Sequence, residues 1–257
     1  MAKTEVRAKK FLGQHFLTDE AIARRIVESL SGATHHVVEI GPGMGVLTKY
    51  LFENKDLDFH VIEIDRESVD YLHNHYPQLD VIEGDFLKYD INGLFQEPYA
   101  VIGNFPYNIS SQILFKVFDQ RDSAIEVVGM FQKEVAERVT ATPGSKVYGI
   151  LSVLLSAFYT TEYLFTVHEH VFNPPPKVKS AVIRMQRNNV SHLECDEKLF
   201  VQVVKAGFNQ RRKTLRNALR SAGLPVDAVD DATLSQRAEQ LSVGQFIQLT
   251  KTIQSCL

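Results

Sequence analysis

Cysteine is nearly absent from the chain. Cys195 and Cys256 are the only two, and they stand far apart. That excludes a disulfide framework and offers no metal-ligand spacing, so reduced thiols in a cytoplasmic protein are expected. Long apolar runs are also missing, which argues against a membrane span. The first ten residues carry Lys3, Arg7, Lys9 and Lys10 but no apolar core, so they do not read as a secretory signal. There is no excess of positive charge: 28 Lys and Arg stand against 31 Asp and Glu, for a net charge of -3. A protein coated in basic charge is thereby excluded, and any nucleic-acid contact must come from local patches. Glycine and proline are modest at 14 and 9, internal repeats are absent, and no long disordered tract is expected.

What is present is 257 residues, 44% of them hydrophobic. That suffices for one large domain, or for one domain with an appendage. Val37-Val38-Glu39-Ile40 reads as a short buried strand running straight into Gly41-Pro42-Gly43-Met44-Gly45, with a helical pattern after it. Strand, glycine turn and helix is how α/β sheets admit a nucleotide-like ligand at the carboxyl ends of their strands. The spacing is Gly-x-Gly-x-Gly rather than the dinucleotide fingerprint, which favours a cofactor with no pyrophosphate to anchor. A second strand, Phe59 to Asp65, carries Glu63 at about the distance usual for an acid that binds ribose hydroxyls. A third ends in Gly84-Asp85, and Asp85 could accept a hydrogen bond from an adenine amino group. A fourth, Tyr99 to Ile102, is followed by Asn104-Phe105-Pro106-Tyr107.

In that last segment Pro106 fixes its own φ and pushes Phe105 towards an extended conformation. Asn104 offers an amide oxygen and an NH2 group, and Tyr107 offers a flat ring able to stack on a base. Taken alone, the four residues could equally be a strand-end turn with a buried tyrosine. In a parallel sheet, however, Gly41, Glu63, Asp85 and Asn104 would all open on one edge, which makes a cofactor site.

Further along, helices are expected over 110–119, 132–138 and 148–158, a fifth strand over 125–131, and a closing strand pair at 159–167 and 180–185. Between that pair lies Phe172-Asn173-Pro174-Pro175-Pro176-Lys177-Val178. Three prolines make a stiff segment. It is either a rigid connector or a mount that holds Phe172 as a second aromatic plate facing Tyr107. Near the start, Phe11-Leu12-Gly13-Gln14-His15-Phe16-Leu17 is too apolar to float and should fold over something. From about Asn188 strand signals disappear and helical spacing takes over. Arg211, Arg212, Lys213, Arg216 and Arg220 concentrate positive charge there, either as a solvated face or as a contact for phosphates.

These segments, in this order, resemble the ribosomal RNA adenine N6-dimethyltransferase family, especially the branch acting on small-subunit rRNA. The resemblance covers nearly the whole chain. The Phe172–Val178 and Phe208–Lys213 segments are its most specific parts. It implies a class I S-adenosylmethionine-dependent methyltransferase: an α/β, Rossmann-like domain with a largely parallel seven-stranded sheet over residues 1–187, and a small all-α domain over 188–257. It implies S-adenosyl-L-methionine as cofactor, contacted by His15, Leu17, Gly41, Glu63, Asp85 and Asn104. The substrate so implied is a pair of adjacent adenosines in a hairpin loop near the 3′ end of small-subunit rRNA, within an immature small ribosomal subunit. Asn104, Pro106, Tyr107 and Phe172 would hold the target base. Arg211 to Arg220 is the candidate rRNA contact, no membrane is involved, and a monomer is the default. The family usually has Asn at the position of His15 and commonly Leu at that of Phe105. The competing readings are a methyltransferase of large-subunit rRNA and a non-catalytic ribosome-assembly factor.

Overall fold

The computed structural model describes residues 6–257, so Met1 and Lys3 of the basic N-terminal segment lie outside it. The first elements are β1 (Phe16–Leu17), α1 (Glu20–Val27), β2 (His36–Ile40), α2 (Thr48–Glu53), β3 (Asp58–Glu63), α3 (Arg66–His75), β4 (Asp80–Glu83), β5 (Tyr99–Asn104) and α4 (Ser110–Asp119). There follow β6 (Ala124–Gln132), α5 (Lys133–Val139), α6 (Ile150–Phe158), β7 (Tyr159–Val167), β8 (Phe172–Asn173) and β9 (Ser180–Arg187). The chain closes with α7 (Glu197–Asn209), α8 (Leu215–Ser221), α9 (Asp231–Ser235) and α10 (Val243–Gln254). Among the described residues, no helix is long and apolar enough to cross a membrane.

Seven strands form one sheet in the order β4-β3-β2-β5-β6-β9-β7. The pairs β3–β4, β2–β3, β2–β5 and β5–β6 are parallel, and β6–β9 is antiparallel. Parallel strands are covered on both faces, which is why Val37 to Ile40 and Tyr99 to Ile102 are continuous buried runs. The strand order reverses between β2 and β5. Sheets of this kind bind ligands at such a switch point, outside the carboxyl ends of the strands. Here that position lies between Gly41 and Asn104.

Helix starts follow local chemistry. Asp19 caps α1 by accepting from the Ile22 amide, Asp65 caps α3, Asp196 caps α7 and Ser242 caps α10.

The chain divides into two compact units, one formed by residues up to Ala136 with Glu162–Arg187, the other by Glu137–Thr161 with Asn188–Leu257. This corrects the single boundary expected after residue 187. Residues 137–161 join the helical unit because remote partners hold them there. The Gly144 amide donates to Glu239 O (2.7 Å). Arg211 donates to Tyr148 O (3.0 Å), and the Tyr148 ring meets Phe208 edge-on at 6.0 Å. The core of this unit includes Leu154, Leu155, Phe200, Val203, Leu219 and Phe246, all buried.

Candidate active site

The strand ends of the sheet form the floor of a cleft lined by Gly41, Gly43, Glu63, Asp85, Asn104 and Tyr107, among others. The glycine turn is held by the Gly41 amide, which donates to Ile62 O (2.9 Å). Gly43 has φ +57°, and a Cβ there would come within 2.8 Å of the Phe16 ring; only glycine fits that close approach. Glu63 is buried, with Oε2 accepting from the Gly43 amide (3.0 Å) and Oε1 from the amides of Ile64 (2.9 Å) and Asp65 (2.8 Å). One carboxylate thus ties the glycine turn to the end of β3. Burial pushes its pKa above the usual carboxylate range, against the pull of those amides. Asp85 accepts from the Leu87 amide (3.0 Å) at the start of the next loop.

Asn104 is the last residue of β5. Its Nδ2 donates to His15 O (2.8 Å), an orientation that leaves Oδ1 as the acceptor on the other side of the amide. The Phe105 amide donates to Met130 O (3.1 Å), and the Phe105 ring packs on Phe131 at 4.9 Å. The larger ring is accommodated because its neighbour is glycine: a Cβ on Gly129 would lie 2.0 Å from Phe105 Cε2. Pro106 O accepts a long bond from the Ile109 amide (3.3 Å). Tyr107 is half-buried, and its hydroxyl is hydrogen-bonded to Ser180 Oγ on β9. Burial raises the phenol's pKa, so it stays protonated near neutrality.

The aromatic N-terminal segment does fold over something: Leu12 to Phe16 line this cleft. Lys9 pairs with Asp65 and Glu67, Gln14 Nε2 donates to Asp65 Oδ2 (3.0 Å), and the Lys9 amide donates to Gln14 Oε1 (2.8 Å). His15 Nδ1 is 2.7 Å from Pro174 O, and its ring lies 5.3 Å from that of Tyr107. Gly13, Gln14, His15 and Tyr107 also line a second cavity, whose far wall is Pro174 to Val178.

One sequence expectation is corrected here. Phe172 does not face Tyr107 across a cavity. It is 4% exposed, pairs with Leu17 through β8 and β1, and sits in an apolar cluster with Ile102, Met130 and Val182. The prolines hold its backbone, but the short strand turns its ring inwards. Leu17 belongs to the same cluster and lines a smaller neighbouring cavity with Gly41 and Asn104, rather than the main cleft. The residues of the basic segment are held differently from one another. Arg211 donates to Lys146 O and Tyr148 O, Arg216 pairs with Asp231, and Arg220 lies 3.9 Å from Asp227. Arg212 and Lys213 are exposed.

Other residues were invisible to motif reading. Lys116 on α4 donates to Phe86 O (2.5 Å) and Tyr89 O, pinning the loop that follows Asp85. Glu39 is fully buried beneath the glycine turn and accepts from Thr48 Oγ1 (2.7 Å); burial pushes its pKa up to about 8. Asp65, Gln14 and Ser180 hold the cleft through partners about 50 or more residues away, which no local pattern announces.

The family model described as ribosomal RNA adenine dimethylase matches residues 5–255. The chain is 60% identical over 253 residues to the ribosomal RNA small subunit methyltransferase A of Cytophaga hutchinsonii, covering 97% of this chain and 98% of that one. To the protein of the same name from Flavobacterium johnsoniae it is 57% identical over 255 residues, with 98% and 97% covered. Among solved structures it resembles a dimethyladenosine transferase from Plasmodium falciparum, with TM-score 0.76 and 26% identity over 91% of this chain and 96% of that one. It also resembles the 23S rRNA methyltransferase ErmE, with TM-score 0.71 and 25% identity over 91% and 99%. The fold is that of class I methyltransferases.

Proposed function

The chain belongs to the ribosomal RNA adenine dimethylase family, and we propose that it dimethylates N6 of two adjacent adenosines in a hairpin loop near the 3′ end of small-subunit rRNA. The observation that carries this reading is the adjacency of two cavities that share Gly13, Gln14, His15 and Tyr107. One opens on the strand ends and suits a nucleoside-like cofactor. The other lies along the proline segment and suits a base taken out of its stack.

The residues of the floor fit S-adenosylmethionine. A buried carboxylate at Glu63 can accept from ribose hydroxyls, Asp85 can accept from the adenine amine, and the glycine turn leaves backbone close to the ligand. Gly41, Asn104 and the backbone of His15 would complete the contacts there, with Leu17 reached only from the adjoining cavity that it shares with Gly41 and Asn104. When bound, the cofactor supplies an electrophilic methyl group. In the first transfer Asn104 Oδ1 and the second lone pair of Pro106 O accept the two N6 hydrogens and orient the nitrogen lone pair; in the second, one of them accepts the hydrogen that remains. Tyr107 stacks on the base, and its hydrogen bond to Ser180 fixes the ring. Positioning two reactants in line supplies most of the rate. The methylated amine is cationic and sheds its proton to water without a dedicated base. Arg212 and Lys213 are the exposed members of the basic segment that remain for rRNA phosphates.

We place the reaction in the cytoplasm, on an immature small ribosomal subunit, with the enzyme a monomer. Identity favours this substrate over large-subunit rRNA: 60% to a small-subunit enzyme against 25% to a 23S enzyme. The intact Gly41, Glu63, Asp85 and Asn104 set speaks against a non-catalytic assembly factor. The test gives the purified protein labelled S-adenosylmethionine with immature small subunits, naked rRNA or large subunits, and maps each methyl. Incorporation at two adjacent adenines of small-subunit rRNA is expected. Incorporation only in large subunits, or nowhere, overturns the proposal.

A further inference from the structure

We propose that Phe11 is a stacking platform for the nucleobase that flanks the target adenosine, set in a basic rim formed by Lys10, Lys177 and Lys179. The proposal deepens the reading above and rests on it. Phe11 is 77% exposed. Singly exposed apolar side chains are ordinary, so the meaning lies in where this one stands and how it is held.

It stands on a 3-10 turn, Lys10–Leu12, whose next residues enter the cleft. The turn is fixed by backbone bonds from Leu12 to Lys9 (3.1 Å) and from Gly13 to Lys10 (3.0 Å), and by the pairing of Lys9 with Asp65 and Glu67. Asn108 Nδ2 donates to Phe11 O (3.3 Å). Asn108 follows Tyr107 directly, so the turn that carries the exposed ring is tied to the turn that presents the plate for the target base. A ring displayed to water on a backbone this constrained has lost little freedom still to be lost on binding.

The charge around it selects the partner. Lys10 lines the second cavity on one side and Lys177 on the other, and Lys179 is exposed two residues beyond. Lys10 adjoins Phe11 in the chain and faces Lys177 across the cavity, and cations close to an aromatic plate are the chemistry of single-stranded nucleic acid: the backbone follows the charge and any base can use the ring. A base extruded into the second cavity leaves its neighbour unstacked at the rim, and Phe11 would replace the lost stacking partner.

The chain contains no tryptophan, so Phe11→Trp creates a single fluorescent reporter. Titration with a hairpin oligoribonucleotide carrying two adjacent loop adenosines should quench it, with less quenching as salt rises. In kinetics, Phe11→Ala should raise KM for the immature small subunit about 10-fold with affinity for S-adenosylhomocysteine unaltered. Phe11→Tyr and Phe11→Trp should restore KM, and Phe11→Leu should not. An unquenched reporter, restoration by leucine, or equal loss of cofactor affinity would overturn the proposal. So would a defect seen on the particle but not on the hairpin, which would assign Phe11 to a ribosomal protein. Quenching of the Phe11→Trp reporter by RNA, with the wild-type protein transferring no methyl, would refute the enzymatic reading while upholding the platform.

Discussion

The floor and the cover of the cleft are built in opposite ways. In the floor, bonds join strand ends that the sheet already holds side by side: Gly41 to Ile62, and Glu63 to Gly43, Ile64 and Asp65. The cover consists of the N-terminal segment and the proline segment, joined by a few bonds between distant parts of the chain. His15 meets Pro174, and β1 meets β8 in a two-residue pairing. The floor therefore shares the stability of the sheet. The cover depends on a handful of contacts between distant segments, so its hold is set by those contacts rather than by the sheet. A cofactor needs the first kind of structure, and a base arriving on a large RNA needs the second.

The largest expected effect is on the floor. Asn104→Ala removes the acceptor for the N6 hydrogens and the bond to His15 O. Methyl transfer should fall about 10²–10³-fold or more, with the melting temperature little changed. Near-normal turnover would break the comparison at its base. Next comes the root of the cover. Phe172→Ala removes a buried ring from the cluster that contains Leu17, and should cost about 3–5 kcal/mol of stability by denaturant titration. A Phe172→Ala protein that melts like the wild type but fails on RNA would return Phe172 to the role of a base plate.

Phe172 also marks what the sequence could and could not yield. The floor was legible because each part of it is local: an apolar run, a turn residue and a helical pattern, repeated at Gly41, Glu63, Asp85 and Asn104. The cover was not, because whether a ring beside three prolines points inwards or outwards depends on a two-residue strand more than 150 positions earlier. The same holds for residues 137–161, whose membership of the helical unit rests on Glu239, Phe208 and Arg211. The accommodation of Phe105 by Gly129 could be read only once β5 and β6 were known to be neighbours.

A smaller effect is expected at the latch of the cover. Burial pushes the Asp65 carboxyl up, but hydrogen bonds from Lys9, Gln14 and the Glu67 amide outweigh it and hold the group below its usual range. A lowered carboxylate contributes stability that is complete above its unfolded value, about pH 3.9, and lost as pH falls through the folded one. The bond to Asp65, with help from Glu67, raises Lys9 in turn; that contribution is complete below about pH 10.4 and lost as pH rises further. The latch should hold between these limits. Proteolysis of the N-terminal segment should stay slow across that window in the wild type and accelerate at neutral pH in Asp65→Asn, which can still cap α3. Equal protease resistance in both proteins would move the hold on the cover elsewhere, to His15 and Pro174.

The smallest effects separate two groups of cations that look alike in the sequence. Each phosphate contact with a single strand contributes about -0.7 to the slope of log K against log salt. Lys177 and Lys179 are exposed beside the second cavity, so removing both charges should reduce the slope by about 1.4. Arg212 and Lys213 are exposed at the start of the helical segment and should behave similarly. Arg216 and Arg220 are near Asp231 and Asp227, and each gives up part of an intramolecular pairing before it can meet a phosphate. Their alanine variants should change the slope by less than 0.7 together, about one contact at most. Arg211 should differ from all of these. Its guanidinium is committed to the carbonyls of Lys146 and Tyr148, so Arg211→Ala should lower the stability of the helical unit and leave the salt slope where it was. A slope that falls as far for Arg216 and Arg220 as for Lys177 and Lys179 would mean that RNA outcompetes the two aspartates, and that availability in the free protein is no guide to contact in the complex.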